Sequence, residues 1–148
     1  MNQFGGYNHF RMKSNKNKEK AIEKQLCEYL SIRGCFPCKI DNTGIYNPTR
    51  KSFMTVTNKF KRKGTSDVFF FWKHRVYFME IKTPEKLGYI ERNFKKLEQG
   101  LVKSQINITR QIEFLKECKK GDQVGFFCAD VNRLKEIMEQ NPSNVPFY

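Results

Sequence analysis

The chain has 148 residues, 39% of them hydrophobic and 14% aromatic, which is enough apolar matter for one core that needs no disulfide or metal to hold it. Its 28 Lys and Arg against 15 Asp and Glu leave a net charge of +13, so a polyanionic partner is expected, nucleic acid before any other. No run is long and apolar enough to cross a bilayer, no basic amphipathic helix marks a membrane surface, and residues 1–10 lack the apolar run of a signal peptide. An intracellular protein is therefore expected (nuclear if eukaryotic), with reduced thiols and no membrane partner.

In chain order, residues 1–16 are rich in Asn and Gly and then basic, with Arg11, Lys13 and Lys16, and read as a flexible basic arm. Residues 17–148 then form one domain. The stretch 18–33 predicts an amphipathic helix, with Ile22, Leu26, Tyr29 and Leu30 at helical spacing and Gly34 as its stop. A short strand over 36–40 is weakened by Pro37, a turn follows at 41–44, and alternation over 53–57 predicts another strand. Lys59, Lys61, Arg62 and Lys63 make a dense basic loop that can either stay solvated or contact phosphates.

Two aromatic and β-branched runs, 67–72 and 76–82, predict a hairpin closed by a polar turn. Both of its faces carry apolar residues, so layers on both sides are expected. Residues 84–103 are charged and helical in part, beginning at Pro84. A helix is predicted over about 107–120, with Ile108, Ile112 and Leu115 on one face and Gly121 after it. A buried strand over 123–129 and a last helix capped by Asp130 and ending before Pro142 complete the order α-β-β-β-α-β-α, an α/β layered domain.

The chemistry sits in the hairpin. Side chains alternate along a strand, so Glu80 and Lys82 share a face while Ile81 takes the other. If Trp72 pairs with Arg75 across the turn, the same register sets Asp67 opposite Glu80, with Cβ atoms about 4.5–5.5 Å apart. Two facing carboxylates repel unless something sits between them, and hard oxygen donors suit Mg²⁺ or Mn²⁺. Lys82 beside them could hold or polarise an attacking water and offset charge on a phosphoryl transition state.

Several residues carry a family likeness. They are Glu19 and Ile22 opening the first helix, Asn42 and Gly44, then Gly64 and Asp67, Glu80-Ile81-Lys82, Gln111 and Leu115 on the later helix, and Gly121. Over residues 18–138 the chain resembles the VRR-NUC domain of the PD-(D/E)xK nuclease superfamily. The resemblance implies a restriction-endonuclease-like core, a central mixed sheet flanked by helices. It also implies a Mg²⁺- or Mn²⁺-dependent endonuclease that hydrolyses phosphodiester bonds in DNA, structure-specific for branched or junction DNA, in a phage or repair context. By that likeness Asp67, Glu80 and the Ile81 backbone carbonyl hold the metal, Lys82 assists the water, and Glu19 and Gln111 complete the site. Glu23 rivals Glu19, although Glu19 lies nearer the middle of the inward helical face. Gln105 is the alternative to Gln111. Asn42 joins the basic loop as a nucleic-acid contact. A homodimer, with two sites for two strands, is implied as well. Residues 84–105 then read as an insertion.

The competing reading is a non-catalytic nucleic-acid-binding module with a nuclease-like fold. Cys35 and Cys38 form a CxxC without the second ligand pair that zinc requires. With two His, a triad or imidazole-rich site is not expected, and no phosphate-binding glycine loop is present.

Overall fold

The computed structural model describes residues 5–40, 45–54 and 64–148. Helix α1 (Gly5–Ile32) begins well before the start at 18 that its apolar spacing predicts, so residues 5–16, read as an arm, lie in the helix. No proline interrupts this stretch, and extending a helix already nucleated by packing costs little per residue. Its buried side chains are the predicted ones: Leu26 and Leu30 are fully buried, with Ile22 and Tyr29 packed beside them. The helix stops at Gly34, whose φ of +76° lets Cys35 N–H turn back to the Leu30 carbonyl at 2.9 Å.

The chain then enters β1 (Cys38–Lys39), shortened by Pro37, and a separate small hairpin of β2 (Ile45–Asn47) and β3 (Ser52–Met54). The strand predicted at 53–57 therefore begins at Ser52, and its second half falls outside the described residues. Strands β4 (Val68–Trp72) and β5 (Arg75–Ile81) follow, then α2 (Pro84–Glu98), α3 (Ile106–Lys120), β6 (Val124–Cys128) and α4 (Val131–Glu139). Asp130 caps α4 by accepting the Arg133 N–H at 2.9 Å, as its position predicts.

The main sheet has the order β1-β4-β5-β6. β4 runs antiparallel to both β1 and β5, whereas β6 is parallel to β5, reached through the α2–α3 crossover that a parallel pair requires. One face is covered by α1 and α4, where Leu26, Leu30, Leu134 and Ile137 pack on Val68, Phe70, Tyr77, Met79 and Ile81. The other carries α2 and α3, where Ile90, Leu97, Ile108, Ile112 and Leu115 enclose Phe127, with Phe78 against them. The α/β class with a mixed, doubly covered sheet stands.

The expected element order does not stand in full. β2, which pairs with the strand expected from residue 53, is extra, and two helices rather than one separate β5 from β6. α2 is a complete helix: Thr83 accepts the Lys86 N–H at 3.3 Å and Pro84 takes the first helical position, where a missing N–H costs nothing. Its inward residues Leu87, Ile90, Phe94 and Leu97 are set among so many charges that the segment reads as helical only in part.

Candidate active site

The β4–β5 register pairs Trp72 with Arg75 and continues to Val68 opposite Met79. The connecting residues Lys73 and His74 have φ of 47° and 61°, the two positive values that match a tight hairpin turn to strand twist. One step beyond the last paired residues, Asp67 comes opposite Glu80. The backbone carbonyl of Asp67 accepts the Ile40 N–H at 2.8 Å, and its side-chain Oδ2 accepts the Ile81 N–H at 2.9 Å. Asp67 is thus anchored on one side to the segment following β1 and on the other to β5. Within a strand the N–H and C=O of one residue point to the same edge, so the Ile81 carbonyl faces the Asp67 side as well.

Alternation along β5 puts Tyr77, Met79 and Ile81 on the α1/α4 face and Phe78 and Glu80 on the α3 face. Glu80 is 1% exposed and Lys82 9%. One oxygen of Glu80, Oε1, accepts from Lys82 Nζ at 2.7 Å and from the side-chain amide of Gln111 on α3. The other oxygen, Oε2, is buried without a hydrogen-bond partner, and so is Gln111 Oε1. Burial raises the Glu80 pKa to about 8; Lys82 opposes the rise, and the neighbouring Asp67 carboxylate adds to it.

Gly64 holds the approach to this corner. Its φ is +86°, and a Cβ there would stand 2.7 Å from the backbone carbonyl of Arg110, the residue before Gln111. Only glycine lets the loop leading to Asp67 lie this close on α3.

α1 supplies the outer wall. Lys16, Glu19, Lys20 and Glu23 from α1, with Asp67 and Ile81, line a cleft of about 140 Å³. Glu19 has its pKa raised by burial and by Asp67, against the pull of Lys82 and Lys86. Glu23 is ion-paired with Lys39 of β1 at 2.7 Å. Of the two rivals, Glu19 is therefore the one whose carboxylate faces the charges of Asp67 and Lys82. The choice between glutamines is equally plain in geometry. Gln111 reaches Glu80, whereas Gln105 accepts from Lys86 Nζ at 2.9 Å.

Asn42, Lys59, Lys61, Arg62 and Lys63 lie outside the described residues. Lys86 joins the site from the first turn of α2 and was not singled out from sequence. The local signal goes no further than the Thr83-Pro84 cap, which fixes the helix start and so puts Lys86 in the first turn of α2; its approach to Lys82 and Glu19 comes from tertiary packing.

Among the described residues no group of three or more His, Cys, Asp or Glu side chains is gathered closely enough to hold a metal by itself. The donors present still fit a hard divalent cation. Glu80 keeps a buried oxygen without a partner, Asp67 stands beside it, and the Ile81 carbonyl is directed to the same side. Mg²⁺ is commonly held by one or two carboxylates, with water and substrate phosphate completing its shell.

Compared with protein-family models, curated proteins and solved structures, the chain matches none.

Proposed function

We propose that the chain is a Mg²⁺- or Mn²⁺-dependent nuclease of the restriction-endonuclease-like class that hydrolyses phosphodiester bonds in DNA. One observation carries the reading: a buried Glu80 carboxylate with one free oxygen, Asp67 beside it and the Lys82 ammonium on it. A fold gains nothing by burying such a set for packing alone, because replacing a buried ion pair by apolar residues is often neutral or stabilising. The net charge of +13 supplies the attraction to a polyanion.

In this reading Asp67, Glu80 and the Ile81 carbonyl hold the cation, with Glu19 facing them across the cleft. The bound metal supplies Lewis-acid polarisation of the phosphoryl group and neutralises charge. Lys82 donates toward the attacking water or the developing phosphoryl charge, and needs a rigid seat to do so. Gln111 provides part of that seat by fixing Glu80 from α3. The likeness of the motifs to the VRR-NUC pattern favours branched or junction DNA as substrate and a homodimer as the working unit.

The experiment is cleavage of branched and duplex DNA by the purified protein with Mn²⁺, with and without EDTA, beside Asp67→Ala. Metal-dependent cutting lost in the variant supports the reading. Salt-sensitive DNA binding with no turnover under any divalent cation would instead favour the non-catalytic module.

A further inference from the structure

We propose that Lys86, held by Gln105 and Tyr89 in the first turn of α2, is a second phosphate-contacting residue of this site, its ammonium binding a non-bridging oxygen of the DNA strand. The inference rests on the nuclease reading and deepens it.

Lys86 stands where the fold alone would not favour a cation. It occupies the first turn of α2, the end at which the helix dipole repels positive charge. It is half-buried, and it feels the like charge of Lys82. Its pKa is lowered by burial and by Lys82, against the pull of Glu19 on α1. Its Nζ is nevertheless held in place, 2.9 Å from Gln105 Oε1 and 5.4 Å from the centre of the Tyr89 ring.

Both of those contacts are with neutral groups. They fix the direction of the ammonium without neutralising it, and leave its charge for a ligand. The acid that attracts it, Glu19, also feels Asp67 and Lys82. The ammonium therefore belongs to the same charged corner as the acidic pair. Two ammonium groups one helical turn apart in sequence, from the end of β5 and the start of α2, suit an anion spread over several oxygens. A phosphodiester strand crossing Asp67 and Glu80 has that form. Gln105 then acts as a positioning residue for Lys86.

The test compares wild type, Lys86→Met, Lys86→Arg and, as a control for lost charge elsewhere on α2, Lys95→Met. The readouts are kcat and KM for Mn²⁺-dependent DNA cleavage, and thermal stability. Lys86→Met should lower kcat/KM about tenfold to a hundredfold, the range for losing one charge-assisted contact to phosphate. Its thermal midpoint should be unchanged or higher, because a disfavoured cation has been removed. Lys86→Arg should recover most of the loss, and Lys95→Met should stay within about twofold of wild type. If wild type cleaves and Lys86→Met cleaves equally well, the proposal is overturned. It is also overturned if Lys86→Met loses activity only in step with a lower thermal midpoint that Arg does not restore, since Lys86 would then be a packing residue. A wild-type protein that cleaves nothing sinks the nuclease reading itself, and the role of Lys86 falls with it.

Discussion

The side-chain carboxylate of Asp67 accepts a hydrogen bond from the backbone N–H of Ile81 at 2.9 Å. This bond closes the open end of the β4–β5 hairpin and sets the Asp67 side chain against the backbone whose carbonyl would complete a cation site. An amide oxygen can accept the same bond, so Asp67→Asn should fold with little change in thermal midpoint. It lacks the negative charge, and Mn²⁺-dependent DNA cleavage should fall about a hundredfold or more. Parallel melting curves and single-turnover cleavage rates check both halves. An Asn variant as active as wild type would remove Asp67 from the site.

Stability without metal should depend on pH through Glu80. Its pKa is raised from 4.5 to about 8, so the folded chain keeps a proton that the unfolded chain releases. For a carboxyl shifted upward, the stabilising contribution is complete below 4.5 and is lost as pH rises through about 8. The groups facing it are Lys82 and Asp67 at the strand ends and Gln111 on α3. In EDTA the urea midpoint of wild type should therefore fall between about pH 5 and pH 8.5. Glu80→Gln should flatten that fall, and Mn²⁺ should restore wild type most strongly at the alkaline end. A Glu80→Gln profile as steep as wild type would show that another group carries the effect.

Gly64→Ala should damage activity more than stability. The added methyl would meet the Arg110 backbone at 2.7 Å in a conformation with φ of +86°, and the loop must shift away from α3. Strain of this type costs on the order of 1–3 kcal/mol. The loop leads into Asp67, so cleavage should fall beyond what the lost stability explains. Rates measured well below the melting transition separate the two. Full activity at that temperature would mean that Asp67 is positioned independently of Gly64.

The turn between β4 and β5 offers the opposite case. Lys73 and His74 are held at φ of 47° and 61°, a conformation that Asn and Gly adopt with less strain. Replacing them together by Lys73→Asn and His74→Gly should stabilise the fold by about 1 kcal/mol. Chemical denaturation measures this. Cleavage should be unchanged, because the turn lies at the far end of the hairpin from Asp67 and Glu80. A loss of stability would contradict the turn geometry.

The hairpin was readable from sequence because a polar turn joins two aromatic runs; the register that brings Asp67 to Glu80 was conditional on Trp72 pairing with Arg75, and the two-residue turn Lys73-His74 meets that condition. The helix ends were legible for a similar reason: Gly34, Pro84 and Asp130 each act through local chemistry, whereas the Thr83 cap was not read from the sequence. What escaped depends on distant packing. α1 extends to Gly5 although its first turns carry no apolar stripe. α2 hides its buried Ile90 and Leu97 among charges. The rivalry of Glu19 with Glu23 could not be resolved by periodicity alone, because the separating fact is the Lys39 partner that β1 brings to Glu23. Lys86 likewise acquires meaning only when α2 folds back toward Lys82 and Glu19.

The most direct measurement is anomalous X-ray scattering from crystals of the protein soaked in Mn²⁺ with a non-cleavable DNA phosphodiester analogue. The account expects a manganese peak bounded by Asp67, Glu80 and the Ile81 carbonyl, with a phosphate oxygen in its coordination shell. Manganese absent from that corner at saturating concentration, with Lys82 still seated on Glu80 and the DNA elsewhere, would contradict it.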